Sequence, residues 1–513
     1  MLDTILNWLL RGLFLAVGVG AAVALARLTQ ALWKERRERW AVRIAFGMIL
    51  LAGVYAAGHA KLLMQAEELE EGRRMYSRFG DPRLTEQRRG ESRGWILDCT
   101  GSDRDALARY ATQGGEIRRV YPLGEATANL VGGGREADER DYTVERLFAE
   151  ELREPLSLAE AGELHPAGTD LRLTLCAAPT RAAWQLLAST RKPGAVVVQD
   201  VRTGALVAYA ATGGPDDPPL GIKRYAPPGS VFKLALAALW WESGLGDPPI
   251  PCPASIQVTE RSAIRNFEMR ARGIVQGPTG MLVPSCNTAA VWMAQRMRER
   301  LGEQAFLEAY RRYGFEPYTE NPPRDTAQAF WSTSSEAWAR RMSPAPSRIR
   351  MGENTGRQEW AQLSIGQGPV DVTPVAVSRF VQAIGNGGVM LPPTIEMARA
   401  ERPEEGTRIM SAQTAQKLQR AMLAVVDSGT AQSTRPLLEG LRWDMGGKTG
   451  TAQIAGRPDD GWFGGLVFGP DGRPRYTVVV YLRGGGPGGR EPAAVAAGMT
   501  RVLARSAPAA RRG

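Results

Sequence analysis

The chain has 513 residues, too many for one hydrophobic core, so two or three folded units are expected. Its composition is that of a folded protein, 43% hydrophobic and 23% charged. The net charge of +10 is spread along the chain with one short basic cluster, and there is no array of stacking aromatics to mark a nucleic-acid surface.

Histidine and cysteine narrow the chemistry further. With only His59 and His165, a catalytic histidine or a histidine-based metal centre is nearly excluded. Cys99, Cys176, Cys252 and Cys286 show no CxxC spacing, which speaks against zinc.

Two apolar stretches open the chain, residues 12–26 (GLFLAVGVGAAVALA) and 44–60 (IAFGMILLAGVYAAGHA). Each approaches the roughly 20 residues that a membrane-spanning helix needs. Between them lie Lys34, Arg36, Arg37, Arg39 and Arg43, and the positive-inside rule keeps that loop cytoplasmic. The expectation is a membrane anchor over residues 1–64, with spans at about 8–28 and 43–64. The bulk of the chain then lies on the outer, periplasmic side of the cytoplasmic membrane. An interfacial helix is the alternative for the first stretch, and it leaves the orientation unchanged.

Residues 65–170 are charged, with short strand-like runs such as 95–97, and read as a small pedestal domain. A main domain is expected over 171–505, followed by a disordered tail at 506–513. Its first hairpin is AVVVQDVRTGALVAYA (195–210), two β runs around an Asp-Val-Arg-Thr-Gly turn. Helical runs follow at 287–300 and 412–428. A second hairpin joins 462–468 to 476–482 through Pro-Asp-Gly, and a helix at 493–504 closes the domain. Strands at both ends with helices between predict an α+β fold: an antiparallel sheet flanked by helices, with a helical subdomain inserted. The polar stretch 319–358 is expected to be a surface excursion.

Within this frame, PPGSVFKLALAALWW (227–241) places Ser230 and Lys233 one helical turn apart at the start of an apolar helix. A lysine held among apolar side chains has its pKa pushed down and can take the serine proton as general base. Alone, the pattern is better explained as a serine N-cap and a lysine that reaches water along its stem, because it is common by chance. Downstream come Ser285-Cys286-Asn287 and Lys448-Thr449-Gly450-Thr451. An acyl donor ending in a carboxylate needs a nucleophile, a base, a cation with hydroxyls, and oxyanion donors. Ser230 and Lys233 supply the first two. Ser285 and Asn287 relay a proton and orient the base, while Lys448, Thr449 and Thr451 grip the carboxylate. Gly450 lets the substrate backbone approach an edge strand, and the amides of Ser230 and Thr451 form the oxyanion hole.

In chain order these are SxxK, SxN and KTG, the signature of penicillin-recognising serine acyltransferases. The chain resembles the class B penicillin-binding proteins, the monofunctional D,D-transpeptidases that cross-link peptidoglycan. Arg93-Gly94-Trp95-Ile96-Leu97-Asp98 resembles the family's RGxIxD segment. Tyr121-Pro122-Leu123-Gly124 with Val131-Gly132 resembles its YPxG…xG stretch, and Gly366-Gln367-Gly368 with Thr373-Pro374 its GQG…TP segment. The resemblance covers residues 93–504. It implies the penicillin-recognising transpeptidase fold, with a five-stranded antiparallel sheet, on a pedestal and membrane anchor. It also implies peptidoglycan stem peptides ending in D-Ala-D-Ala as substrate and β-lactam antibiotics as covalent ligands. A SEDS-family glycosyltransferase is the implied membrane partner, with no nucleic acid, no cofactor and no metal.

The departures from the family are specific. Two spans replace the usual one, and the short pedestal leaves division and elongation machineries both open. Cys99 stands where an arginine is usual, and Cys176 where an aspartate is usual. Either a disulfide replaces a salt bridge in an oxidising exterior, or these are two unrelated buried thiols. Cys286, inside SxN, is expected to be reduced. The competing functions are a D,D-carboxypeptidase or β-lactamase-type hydrolase, a structural activator of a SEDS glycosyltransferase, and a penicillin sensor.

Overall fold

The computed structural model describes residues 93–113, 116–132, 142–153, 169–213, 217–315, 330–342, 348–352 and 355–506, with positions 27 and 30. The spans expected at 8–28 and 43–64 otherwise lie outside the described residues, as does the tail beyond 506. Among the described residues, no helix is long and apolar enough to cross a membrane. The chain divides into two units, 1–91 and 92–513, and the features below belong to the second.

Five strands build its central sheet: β1 (Gly194–Asp200), β2 (Leu206–Ala211), β3 (Asp444–Ala452), β4 (Asp460–Phe468) and β5 (Pro474–Leu482). Their order is β3-β4-β5-β1-β2, antiparallel throughout, so both predicted hairpins form and join edge to edge through β5 and β1. The valine runs of β1 and β5 lack polar alternation because both faces of the sheet are covered. Six helices matter for the site: α1 (Ala177–Ser189), α2 (Lys233–Glu242), α3 (Asn287–Leu301), α4 (Pro374–Gly385), α5 (Ala412–Asp427) and α6 (Glu491–Ser506). One face carries Val196, Val198, Val478 and Val480, buried with Ala183 and Leu187 of α1 and Ala496 and Met499 of α6. The other carries Val197 and Val479, buried with Val377 and Val381 of α4 and Leu234 and Ala238 of α2. The result is a helix–sheet–helix sandwich with the expected helical lobe set into it. Helix α2 is buried from Lys233 to Trp241. Each of its large apolar side chains contributes about 1.5–3 kcal/mol by leaving water, which makes α2 a rigid support.

Two expectations change here. The segment 319–358 is not simply a surface excursion: its described part holds a helix (Glu336–Met342) and the buried Trp331, Trp338 and Met342. The Trp331 and Trp338 rings lie 5.4 Å apart, and Trp338 also meets Phe148 at 5.6 Å. Two tryptophans bury as much surface as several aliphatics, so a stretch of low average hydropathy still reaches the core. Of the two readings for Cys99 and Cys176, the disulfide is the one observed, with Cα atoms 4.8 Å apart. Beside it, the Asp98 carboxylate accepts from the Ala177 amide at 3.1 Å, at the start of α1.

Candidate active site

The nucleophile turn is set by glycines. Gly229–Phe232 is one 3-10 turn running into α2, so Ser230 sits half-buried inside that turn and is not an ordinary helix N-cap. Gly229 and Gly366 both have positive φ, 54° and 73°, a region costly for residues with a Cβ. The Gly229 amide donates to Gly366 O at 2.8 Å, and a Cβ on Gly366 would lie 2.0 Å from Gly229 O. On the other side, a Cβ on Gly229 would lie 2.5 Å from Thr451 O, and one on Gly450 2.6 Å from Pro228 O. The turn is thus wedged between the GQG loop and edge strand β3. Gln367 closes the frame, its Nε2 donating to Thr451 O at 3.2 Å. The space beside Gly450 is therefore filled by the chain itself. Its missing side chain serves to seat the nucleophile turn as well as to leave the strand open.

The polar centre lies behind this turn. Lys233 has no solvent exposure and donates from Nζ to Asn287 Oδ1 at 2.6 Å, to Ser285 O at 2.8 Å and to Ser285 Oγ at 3.4 Å. Asn287 begins α3, and its amide Nδ2 donates to Arg265 O at 2.8 Å, which fixes Oδ1 toward the lysine. Lys448, equally buried, donates to Ser285 Oγ at 2.9 Å and to Thr449 O at 3.0 Å. Ser285 Oγ therefore bridges the two lysines. Among the described residues, no side chain is hydrogen-bonded to Ser230 Oγ. Lys233 is held by SxN, beside the turn that carries Ser230.

Burial sets the charges. Loss of solvent holds Lys233 well below the ordinary lysine range, and the neighbouring Lys448 pushes the same way. Burial alone lowers Lys448 to about 7. A buried lysine beside a second lysine is an available base at neutral pH.

SxxK, SxN and KTG thus lie side by side, with one addition and one correction. Thr430, after α5, shares a 2.6 Å hydroxyl hydrogen bond with Thr449 and adds a third hydroxyl beside Thr449 and Thr451. Cys286 is not reduced: it is disulfide-bonded to Cys252, with Cα atoms 6.4 Å apart. Local spacing gave no sign of this, because Cys252 arrives on a separate hairpin. Thr430 carries no motif of its own, and its role is visible only once α5 packs beside β3.

The fold and the order of SxxK, SxN and KTG are those of the penicillin-recognising class. Residues 194–501 match the family described as penicillin binding protein transpeptidase domain. The chain belongs to that family. It is 28% identical over 341 residues to penicillin-binding protein PbpB of Mycolicibacterium smegmatis, an alignment covering 58% of this chain and 46% of that protein. It therefore spans about half the length of the curated relatives it matches. The solved D,D-transpeptidase domain of a peptidoglycan glycosyltransferase from Eggerthella lenta superposes with a TM-score of 0.63 at 22% identity, over 81% of this chain and 99% of that one. Penicillin-binding protein A of M. tuberculosis, solved as a penicillin G acyl-enzyme complex, gives 0.63 at 21% identity over 81% and 100%. At these identities the likeness establishes the fold.

Proposed function

We propose that the protein is a peptidoglycan D,D-transpeptidase acting through an acyl-enzyme on Ser230. The observation that carries this is the buried Lys233–Ser285–Lys448 chain, ordered by Asn287, beside the turn that holds Ser230. The substrate carboxylate sits against Lys448 and the Thr449, Thr451 and Thr430 hydroxyls. Neutral Lys233 takes the Ser230 proton as Oγ adds to the penultimate D-Ala carbonyl, whose oxyanion is held by the Ser230 and Thr451 amides. The C–N bond breaks, and the proton reaches the departing D-Ala amine through Ser285 Oγ. An amine from a neighbouring stem peptide then attacks the ester, restoring Ser230 and forming the cross-link. β-Lactams acylate the same oxygen, but their opened ring stays attached.

The family resemblance and the basic loop at 34–43 support an anchored protein, with its catalytic domain outside the cytoplasmic membrane. A pedestal over 65–170 and a SEDS-family glycosyltransferase partner belong to the same reading. Fluorescent penicillin tests the central step: the wild type forms a stable covalent adduct and Ser230→Ala none. Labelling that survives in Ser230→Ala overturns the nucleophile, and rapid loss of the wild-type label identifies a hydrolase instead.

A further inference from the structure

Ser285 has φ 58°, one of four described non-glycine residues in the left-handed region. Such a residue keeps its place only when its surroundings over-determine it. The lobe spanning 249–276 supplies those surroundings. Pro249–Cys252 pairs with Gly273–Gln276, and Ser255–Thr259 with Ser262–Arg265, so the second pair is nested inside the first as one interrupted hairpin. Three residues of this lobe bond to SxN or to Thr288 just after it. Cys252 is covalently joined to Cys286, the residue between Ser285 and Asn287. The buried Asn266 accepts through Oδ1 from the amides of Asn287 and Thr288, at 2.8 and 3.2 Å. Arg265 O accepts from Asn287 Nδ2. Asn266 is itself fixed from behind, since Nδ2 donates to Pro253 O at 2.7 Å and Arg270 O at 3.0 Å.

We propose that Asn266 and the Cys252–Cys286 disulfide are positioning elements for acylation, a clamp that sets Ser285 and Asn287 against Lys233. The inference rests on the acyltransferase reading above. The clamp acts on the middle and last residues of the SxN triplet, Cys286 and Asn287. Asn266 anchors the first turn of α3, and the disulfide pins the residue following the strained serine. Loosening either displaces Asn287 Oδ1 and Ser285 Oγ from the lysines without touching the carboxylate grip of KTG. The lobe is also redox-linked: a dithiol reductant transfers two electrons to the S–S bond, giving two thiols as it closes its own disulfide.

The test is stopped-flow acylation by fluorescent penicillin, resolved into the preacylation dissociation constant and the acylation rate constant k2. Displacement of catalytic groups by about 1 Å costs on the order of 10²-fold, so Asn266→Ala is expected to lose about that much in k2, with the dissociation constant unchanged. Asn266→Asp keeps an acceptor for both α3 amides but turns an oxygen toward Pro253 O and Arg270 O where Nδ2 donated, so it is expected to recover only part of the loss. Cys252→Ser/Cys286→Ser keeps a side-chain cap at position 286 but no covalent link, and is expected to lower k2 as well. Wild type incubated with dithiothreitol should fall to the double variant's k2 and recover on reoxidation, while the double variant is indifferent. Wild-type k2 in both Asn266→Ala and the double variant overturns the clamp. So does a loss that tracks the fraction of protein still folded by near-UV circular dichroism. A wild type that fails to label overturns the acyltransferase reading, and the clamp with it.

Discussion

In the proposed mechanism Lys233 and Lys448 do different work with the same side chain, and the difference is one of partners. Both are fully buried, but Lys233 faces a carbonyl and an amide oxygen fixed by SxN, whereas Lys448 lies along β3 beside hydroxyls. Two ammonium groups sharing Ser285 Oγ repel, so the proton leaves the more disfavoured one first, and that is Lys233. At neutral pH the pair therefore holds one base and one partly charged cation, and an arriving carboxylate raises the Lys448 pKa further. A bell-shaped pH profile follows for the second-order acylation constant. On the acid side, protonation of Lys233 removes the base. On the alkaline side, Lys448 of the free protein loses its charge near about 7, and with it the attraction for the carboxylate. The two apparent values belong to the coupled pair. Acylation by penicillin measured across pH checks this. A profile that keeps rising well above neutrality would mean that Lys448 is not the carboxylate's cation.

At the scale of elements, the site depends on three chain segments touching through glycines. The turn at 229–232, the GQG loop and the end of β3 are far apart in sequence and meet at backbone distance through Gly229, Gly366 and Gly450. Gly366→Ala places a methyl group 2.0 Å from Gly229 O at a positive φ. Such overpacking typically costs about 1–3 kcal/mol, and relief must come by moving the nucleophile turn. The variant is expected to melt lower and to acylate at least tenfold more slowly at a temperature where it is folded. An unchanged acylation rate would show that the turn holds its place without the GQG loop. The same contacts explain what was legible. β1, β2, β4 and β5 announce themselves as valine- or aromatic-rich runs closed by turn residues. SxxK, SxN and KTG are readable because each chemical role demands a residue type. The reason for Gly450 was only half readable, since sequence says that a glycine stands there but not that Pro228 O fills the space. Trp331 and Trp338 were missed because two large side chains in a polar stretch do not raise its average. Cys286 was misread because its partner lies on another hairpin.

At the scale of the molecule, two disulfides tie different things together, and they should fail differently. Cys99–Cys176 joins the segment after Arg93–Asp98 to the start of α1, across a sequence separation of 77. Around it, Ile96 and Leu97 pair in parallel with Leu171 and Arg172, while buried Glu145 binds Arg93 and Arg119 at 3.2 and 2.7 Å. Leu107, Val131, Val144 and Phe148 join the hydrophobic cluster that also contains α2 and α4. That bond therefore fastens the N-terminal part of the described chain of the second unit to the core that carries the site. A loop of this length is worth roughly 4 kcal/mol through restriction of the unfolded chain. None of the catalytic groups is hydrogen-bonded to either cysteine, and Asp98 still meets the start of α1 without the link. Cys99→Ser/Cys176→Ser should thus lower the melting temperature and leave k2 at the wild-type value wherever the protein is folded. Cys252→Ser/Cys286→Ser should lower k2 in the same assay. Thermal melts and stopped-flow acylation on the two double variants separate the roles. A drop in k2 on losing Cys99–Cys176 would mean that the N-terminal segments help to set the catalytic geometry, and that the two parts of the molecule work as one.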